Sequence, residues 1–148
     1  MLVKQRSRKL LCVAVAGAVG LGTVGPAAAL TKPERRMKRY INQERSSRGI
    51  RTLRVNNNLS KKARRHSRKM ARQGRVVYHS NLSYTMRGYN YRIAGENVGM
   101  SWKLRRVHLL FMNSKGHRRN ILRSGYRRVG IGVYRANGRV WVTEIFYG

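Results

Sequence analysis

The sequence predicts an α+β domain, and three observations carry that prediction. Two stretches place apolar residues at helical spacing, a third apolar segment follows them, and the chain closes on two β-rich runs joined by Asn137-Gly138. Helices first and a hairpin last is the order of an α+β fold rather than of alternating βαβ units. A length of 148 residues allows one such domain.

The N-terminus is set apart from it. "MLVKQRSRK" is basic, Leu10 to Gly25 is an apolar run, and Ala27-Ala28-Ala29 offers a small-residue cleavage site. The pattern predicts a secretory signal peptide over residues 1–29 and a domain over 30–148. The run is short and rich in Gly and Ala, which argues against a spanning anchor. Cys12, the only cysteine, leaves with the leader, so the mature domain is expected to have no disulfide.

Thr31-Lys32-Pro33-Glu34 has the form of a capping box. The helix it opens carries Met37, Tyr40 and Ile41 on one side and is expected to end near Arg48-Gly49. Ile50, Leu53 and Val55 alternate with basic residues as a short extended segment, and Asn56-Asn57-Asn58 follows as loop and cap. The second helix, Leu59 to about Gln73, has Leu59, Ala63, His66, Met70 and Gly74 in one stripe. Lys61, Lys62, Arg64, Arg65, Arg68, Lys69 and Arg72 fall on the opposite arc. Seven positive charges with no negative one repel each other, so helix stability does not account for that face. His66 lies in the apolar stripe and is expected to be a core histidine.

Val76 to Ser80 leaves this helix as an extended piece ending in His79-Ser80. Residues 81–94, rich in Tyr, Asn and Gly, suggest no regular structure. Gly95-Glu96-Asn97-Val98-Gly99 is expected to be a glycine-flanked loop, and a third helix is expected from Ser101 to Asn113. In "FMNSKGHRRNIL", Leu109, Leu110 and Phe111 would close that helix against the core. Asn113 and Ser114 would stop it, and Gly116 would give the backbone freedom for a reversal that presents His117. Val129 to Val133 and Val140 to Phe146 across Asn137-Gly138 form a hairpin, with Gly130 and Gly132 placed for close approach of a helix.

Charge dominates the composition. The formal net charge is +30. Removing residues 1–29 takes four basic residues (Lys4, Arg6, Arg8, Lys9) and leaves 30 basic against four acidic ones, a net +26. Such a charge bears on partners rather than on fold. There is no aspartate, so a Ser/His/Asp triad is impossible, and nothing marks a Ser/His/Glu one. No phosphate-binding loop, cysteine pair or internal repeat is present. Paired carboxylates could come only from Glu34, Glu44, Glu96 and Glu144, and the first two belong to the first helix as structural residues.

Six segments in order, "INQERSSRGIRTLRVNNNLSKKARRHSRKM", "YHS", "GEN", "NSKGHRRNIL", "YRRVGIGVY" and "VWVTEIFYG", resemble the CAP superfamily of cysteine-rich secretory, antigen 5 and pathogenesis-related proteins, in its bacterial, SCP-like branch. They run from about Arg36 to Gly148. The resemblance implies an α-β-α sandwich with a small antiparallel sheet between helical layers. It also implies a cleft that gathers two histidines and two glutamates. His79 matches the histidine of "YHS", Glu96 the glutamate of "GEN", and His117 the histidine after the glycine. The place of the second glutamate holds Ser114, a cleft residue here.

Two neutral imidazoles can hold Zn²⁺ or another divalent ion weakly, with Glu96 as an auxiliary ligand or orienting group. Glu96 is also the one candidate catalytic group, as a general base through a metal-bound water, should the protein be a metal-dependent hydrolase acting on peptides or esters. A non-enzymatic binding module at the cell envelope or outside the cell is the leading expectation. A cationic polyanion-binding protein is the other reading. The expected partner is an anionic cell-wall polymer or lipid surface met through Lys61, Lys62, Arg64, Arg65, Arg68, Lys69 and Arg72. A small lipid or peptide is a further candidate ligand. Nucleic acid is set aside for want of a binding motif and because of the export signal. A monomer, secreted and held at the wall or membrane surface, is expected.

Overall fold

Thr31 begins the first helix by a reciprocal exchange: its hydroxyl accepts from the Glu34 amide (3.5 Å), and the Glu34 carboxylate accepts from the Thr31 amide (2.8 Å). The computed structural model describes residues 29–74 and 77–148. The expected signal peptide therefore lies, but for Ala29, outside the described residues, as does Val76. Helix α1, Lys32–Ser46, buries Met37 and Ile41 together with two charged side chains, Glu34 and Arg45. It is followed by β1, Arg54–Val55, and by α2, Asn57–Arg72, which Asn56 caps by accepting from the Leu59 amide at 3.0 Å. A one-turn helix α3 spans Leu82–Thr85. Then come β2 (Ala94–Ser101), α4 (Leu104–Asn113), α5 (Lys115–Leu122), β3 (Arg128–Ala136) and β4 (Arg139–Tyr147).

The hairpin forms where Asn137-Gly138 predicts it. Asn137 has φ 49° and Gly138 φ 68°, the two positive values that a two-residue hairpin turn requires. The sheet order is β1-β3-β4-β2. β3 and β2 both run antiparallel to β4, but β1 lies parallel to β3, so the sheet is mixed and not purely antiparallel. The chain passes from β1 through α2, α3, β2, α4 and α5 before β3, and so long a crossover permits parallel pairing.

Alternation along the strands sorts the two faces. One face packs Ile145 against Leu59 and Ala63, and Trp141 against Met70 and Ala71, all four helical residues from α2. The other face packs Val140, Val142 and Phe146 with Met37 and Ile41 of α1, Val107 and Phe111 of α4 and Ile121 of α5. The result is the α-β-α sandwich. Helix α2 comes down directly on β3 at Gly130 and Gly132. A Cβ at Gly130 would overlap Leu59, and one at Gly132 would overlap the backbone of Ala63 and Arg64.

Several local expectations are corrected. Gly95–Gly99 is not a loop but part of β2, paired along its length with β4. Its glycines make room for side chains: a Cβ at Gly95 would overlap the Tyr126 hydroxyl, and one at Gly99 would stand 2.6 Å from the Phe111 ring. Gly116 is an ordinary helical residue of α5, and the break before it falls at Ser114 (φ −90°, ψ 122°). The third helix starts at Leu104 because Ser101 still belongs to β2. Phe111 is buried, but Leu109 and Leu110 face outward, 47 % and 46 % exposed. His66 is half-buried at the rim of α2, and Ser67 takes the inner position, bonded to the Gly132 carbonyl (3.1 Å) and the Thr143 hydroxyl (2.9 Å).

Candidate functional site

Glu96 sits on β2 with its side chain almost wholly enclosed (2 % exposed), while His79, in the irregular segment after α2, is 62 % exposed. Glu96 Oε1 accepts from His79 Nδ1 at 3.0 Å and from the Ser80 amide at 2.8 Å, and Oε2 accepts from the Ser80 hydroxyl at 2.6 Å. The carboxylate thus clamps the His79-Ser80 segment to the strand. Donation from Nδ1 fixes the tautomer and leaves the Nε2 lone pair of His79 directed away from the clamp.

His117 arrives on α5, on the other face of the sheet. Its ring packs against Phe111 with centroids 5.0 Å apart. Burial pushes its pKa down, and the charge His79 can carry lowers it further. The two imidazoles therefore sense each other across β2, the strand at the edge of the sheet. Ser114 is the half-buried residue joining α4 to α5; its carbonyl accepts from the Arg118 amide at 2.8 Å, and its hydroxyl caps neither helix.

Beside these residues lies a polar network that the sequence did not reveal. Asn97 stands opposite Glu144 in the β2–β4 register. The Asn97 amide donates to Glu144 Oε2 (3.1 Å) and to the His117 carbonyl (3.1 Å). Asn120 donates to Asn97 Oδ1 (2.9 Å) and to the Glu96 carbonyl (3.2 Å). Two asparagines thus tie α5, and His117 with it, to β2. Glu144 is fully buried, and burial drives its pKa up to about 8, against a smaller lowering by the Asn97 hydrogen bond. Its Oε1 has no hydrogen-bond partner among the described residues. The visible signal was a glutamate in the otherwise apolar run Val140 to Phe146.

The chemistry open to the site follows from its donors. Both Glu96 oxygens are occupied, so the carboxylate orients His79 and is not a ready base. Among the described residues no three His, Cys, Asp or Glu side chains come close enough to hold a metal ion together. What the donor set offers is two imidazoles, one fixed in tautomer by a carboxylate, which suits a divalent ion completed by water rather than a three-ligand catalytic centre.

The basic arc is less uniform than its helical spacing suggests. Lys61, Arg65, Arg68, Lys69 and Arg72 are exposed. Lys62 donates to the Thr85 carbonyl (2.6 Å) and sits 4.8 Å from the centre of the Tyr89 ring. Arg64 turns inward: its Nε and Nη2 bind the two oxygens of buried Glu34 at 2.7 and 2.6 Å. Arg64 is a structural residue, and its place among outward-facing charges is corrected.

Arg45, unlike half-buried Arg64, is a fully buried cation. Its Nε donates to the Arg51 carbonyl (2.8 Å), Nη1 to those of Ile121 (2.8 Å) and Arg123 (3.0 Å), and Nη2 to that of Tyr126 (3.3 Å).

With this geometry in place, comparison with known proteins is decisive at the level of family. The model of the CAP (cysteine-rich secretory protein) family matches residues 38–146. The chain belongs to the CAP family. It is 31 % identical over 134 residues to the uncharacterized protein YkwD of Bacillus subtilis (strain 168), covering 85 % of this chain and 51 % of that protein. The CAP chain described here thus spans about half the length of this curated relative. Among solved structures, an extracellular SCP-domain protein of Bacillus anthracis str. Ames superposes with TM-score 0.66 at 22 % identity, over 81 % of this chain and 44 % of the other. An outer surface protein of Borrelia burgdorferi superposes with TM-score 0.71 at 15 % identity, over 81 % and 95 %. Family and fold place the protein in the bacterial, SCP-like branch.

Proposed function

We propose that this CAP domain is a non-enzymatic binding module that works outside the cell and is held at the envelope by its charge. One observation carries the reading: every side-chain carboxylate is already engaged or buried. Glu34 is bound to Arg64, Glu44 to Arg48, Glu96 to the His79-Ser80 segment, and Glu144 is buried and unpaired with any cation. Apart from Arg48, the exposed basic residues therefore have no acidic counterpart among the described residues. The export signal over residues 1–29, with the domain over 30–148, would bring this surface to anionic wall polymers or lipid headgroups. The extracellular and outer-surface descriptions of the two structural neighbours agree with that destination.

Retention on isolated cell walls or anionic vesicles tests the reading. Attraction of this kind is screened over about 8 Å at physiological ionic strength. The protein should bind at low salt and elute at high salt, and Arg65, Arg68 and Arg72 changed together to Glu should weaken retention without unfolding the domain. A wild-type protein that stays free of envelopes at low salt overturns it.

The occupied state of Glu96 also bears on the hydrolase alternative. Glu96→Gln should lower the melting temperature through loss of the clamp, with no turnover to abolish. Metal-dependent hydrolysis of a peptide or ester by wild type, lost in this variant while it stays folded, is the contrary result.

A second reading concerns the imidazoles. The depressed pKa of His117 favours a neutral ring there, and Glu96 holds His79 by Nδ1 with Nε2 left open, so the two imidazoles would hold Zn²⁺ or a similar ion weakly, with Glu96 as orienting group. Titration calorimetry should show weak Zn²⁺ binding that fades as pH falls through the imidazole range and is lost in His117→Ala. Equal binding by wild type and variant removes this site.

A further inference from the structure

At the edge of the sheet away from His79 and His117, four arginines share one cleft. Arg51, Thr52, Arg54, Arg127 and Arg128 line a surface cleft of about 570 Å³ with no acidic residue in it. All four arginines are exposed, and none has a carboxylate partner among the described residues.

Strand register makes the convergence costly. Arg54 pairs directly with Arg128, and Val55 with Val129. Alternation turns the two valines inward, Val129 wholly buried and Val55 packed against the core, so the two guanidinium groups emerge side by side. Like charges directly opposite on neighbouring strands destabilise a sheet. Charge on an edge strand can be explained as protection against edge-to-edge association. That accounts for Arg54 on β1 but not for Arg127 and Arg128, which belong to the inner strand or its approach.

The backbone beneath the cluster is fixed. The Arg54 amide donates to the Arg127 carbonyl (3.0 Å), and the Arg127 amide to the Tyr147 carbonyl (2.9 Å). The Arg51 carbonyl accepts from buried Arg45 at 2.8 Å. Planar guanidinium forks on a rigid platform match tetrahedral oxyanions, which accept paired N–H bonds. Thr52 adds a hydroxyl at the same place.

We propose that this arginine cleft is a discrete binding site for a phosphate group carrying two or more negative charges, whether on a soluble phosphate or on a phosphomonoester lipid. The site stands apart from the α2 face by which the domain is proposed to be retained, so each can fail without the other. The ligand would offset the repulsion between Arg54 and Arg128.

Two probes test this on the full chain at physiological salt: inorganic pyrophosphate by calorimetry, and phosphatidylcholine vesicles with and without phosphatidic acid by sedimentation. Wild type should bind one of them saturably, and pyrophosphate binding with a rise in melting temperature would mark the soluble source. Binding only to phosphatidate vesicles would mark the lipid source. The double variant Arg54→Gln with Arg128→Gln should bind about a hundredfold more weakly or worse, since each lost charge-assisted bond is worth about one decade in affinity or more. Its unliganded melting temperature should equal or exceed that of wild type, which also shows that the fold survives. Changing Arg65, Arg68 and Arg72 to Glu should leave pyrophosphate binding in place while envelope retention drops. Absence of binding to both probes, or equal losses in the two variant sets, overturns the site.

Discussion

Glu34 and Glu144 are both shut away from solvent, and the protein treats them in opposite ways. Burial pushes the Glu34 carboxyl up, but the Arg64 guanidinium and the amides of Thr31 and Val133 outweigh it and hold the group below its ordinary value. Glu144 has one amide donor and no cation, and its pKa rises to about 8. The same side chain is thus a charged cross-brace between α1 and α2 in one place and a neutral acid between β2 and β4 in the other at pH 7. Burial does not decide a carboxylate's state; the donors brought to it do.

The comparison breaks most visibly if Glu34 loses its charge. Glu34→Ala leaves Arg64 without its partner and the Thr31 cap without its reciprocal bond. Breaking one side of a buried pair costs about 3–5 kcal/mol, to be read as a shift in the urea midpoint with unchanged slope. A loss under about 1 kcal/mol would place the pair with surface ion pairs instead.

Next is the pH dependence at Glu144. Its folded pKa lies above its unfolded one, so between about pH 4.5 and 8 the folded state holds a proton that the unfolded state has released. Stability from this group is full below that window and falls as pH rises through it, by about 1.4 kcal/mol per pH unit. Wild type should therefore lose about 2–3 kcal/mol between pH 5 and 7 relative to Glu144→Gln. His108 and His117 have depressed values and push the other way below their unfolded pKa, so the difference between the two proteins isolates Glu144. Parallel stability curves for the two proteins would mean that Glu144 is ionised in the fold. Glu34 has the opposite sign, its contribution being lost as pH falls through its depressed pKa.

The smallest effect belongs to Glu44, which meets Arg48 at 2.6 Å in solvent and His108 at 3.6 Å. Glu44→Gln should cost about 0.5 kcal/mol, and less in high salt.

The two glutamates also mark the limit of what sequence reading reached. Glu34 was legible because capping is local: a threonine three residues before a glutamate says what both will do. The α2 stripe, the Asn137-Gly138 hairpin and the close-packing glycines of β3 were legible for the same reason, since each is a pattern within one element. Glu144 was not, because its partner is set by the β2–β4 register, and β2 itself was hidden. Its glycines and polar residues read as a loop, although the glycines exist to admit Phe111 and Tyr126. His79, Glu96 and His117 were singled out by resemblance, whereas the Asn97–Asn120 bridge that positions His117 depends on pairings no short window contains. Arg64 misled for a related reason: helical spacing gives an angle, and only the packing of α1 says what stands there.

Arg45 sets the order in which the molecule can be completed. The acceptors for its Nη atoms lie 76 to 81 residues further along the chain. On the same helix, Glu34 takes the Val133 amide 99 residues away. Helix α1 is thus synthesised long before the acceptors that its interior charges need. A nascent chain ending before Tyr126 would have to bury a guanidinium with acceptors missing, so α1 docks only when the last third of the chain has emerged. Such long-range closure favours slow, all-at-once folding over stepwise growth from the N-terminus.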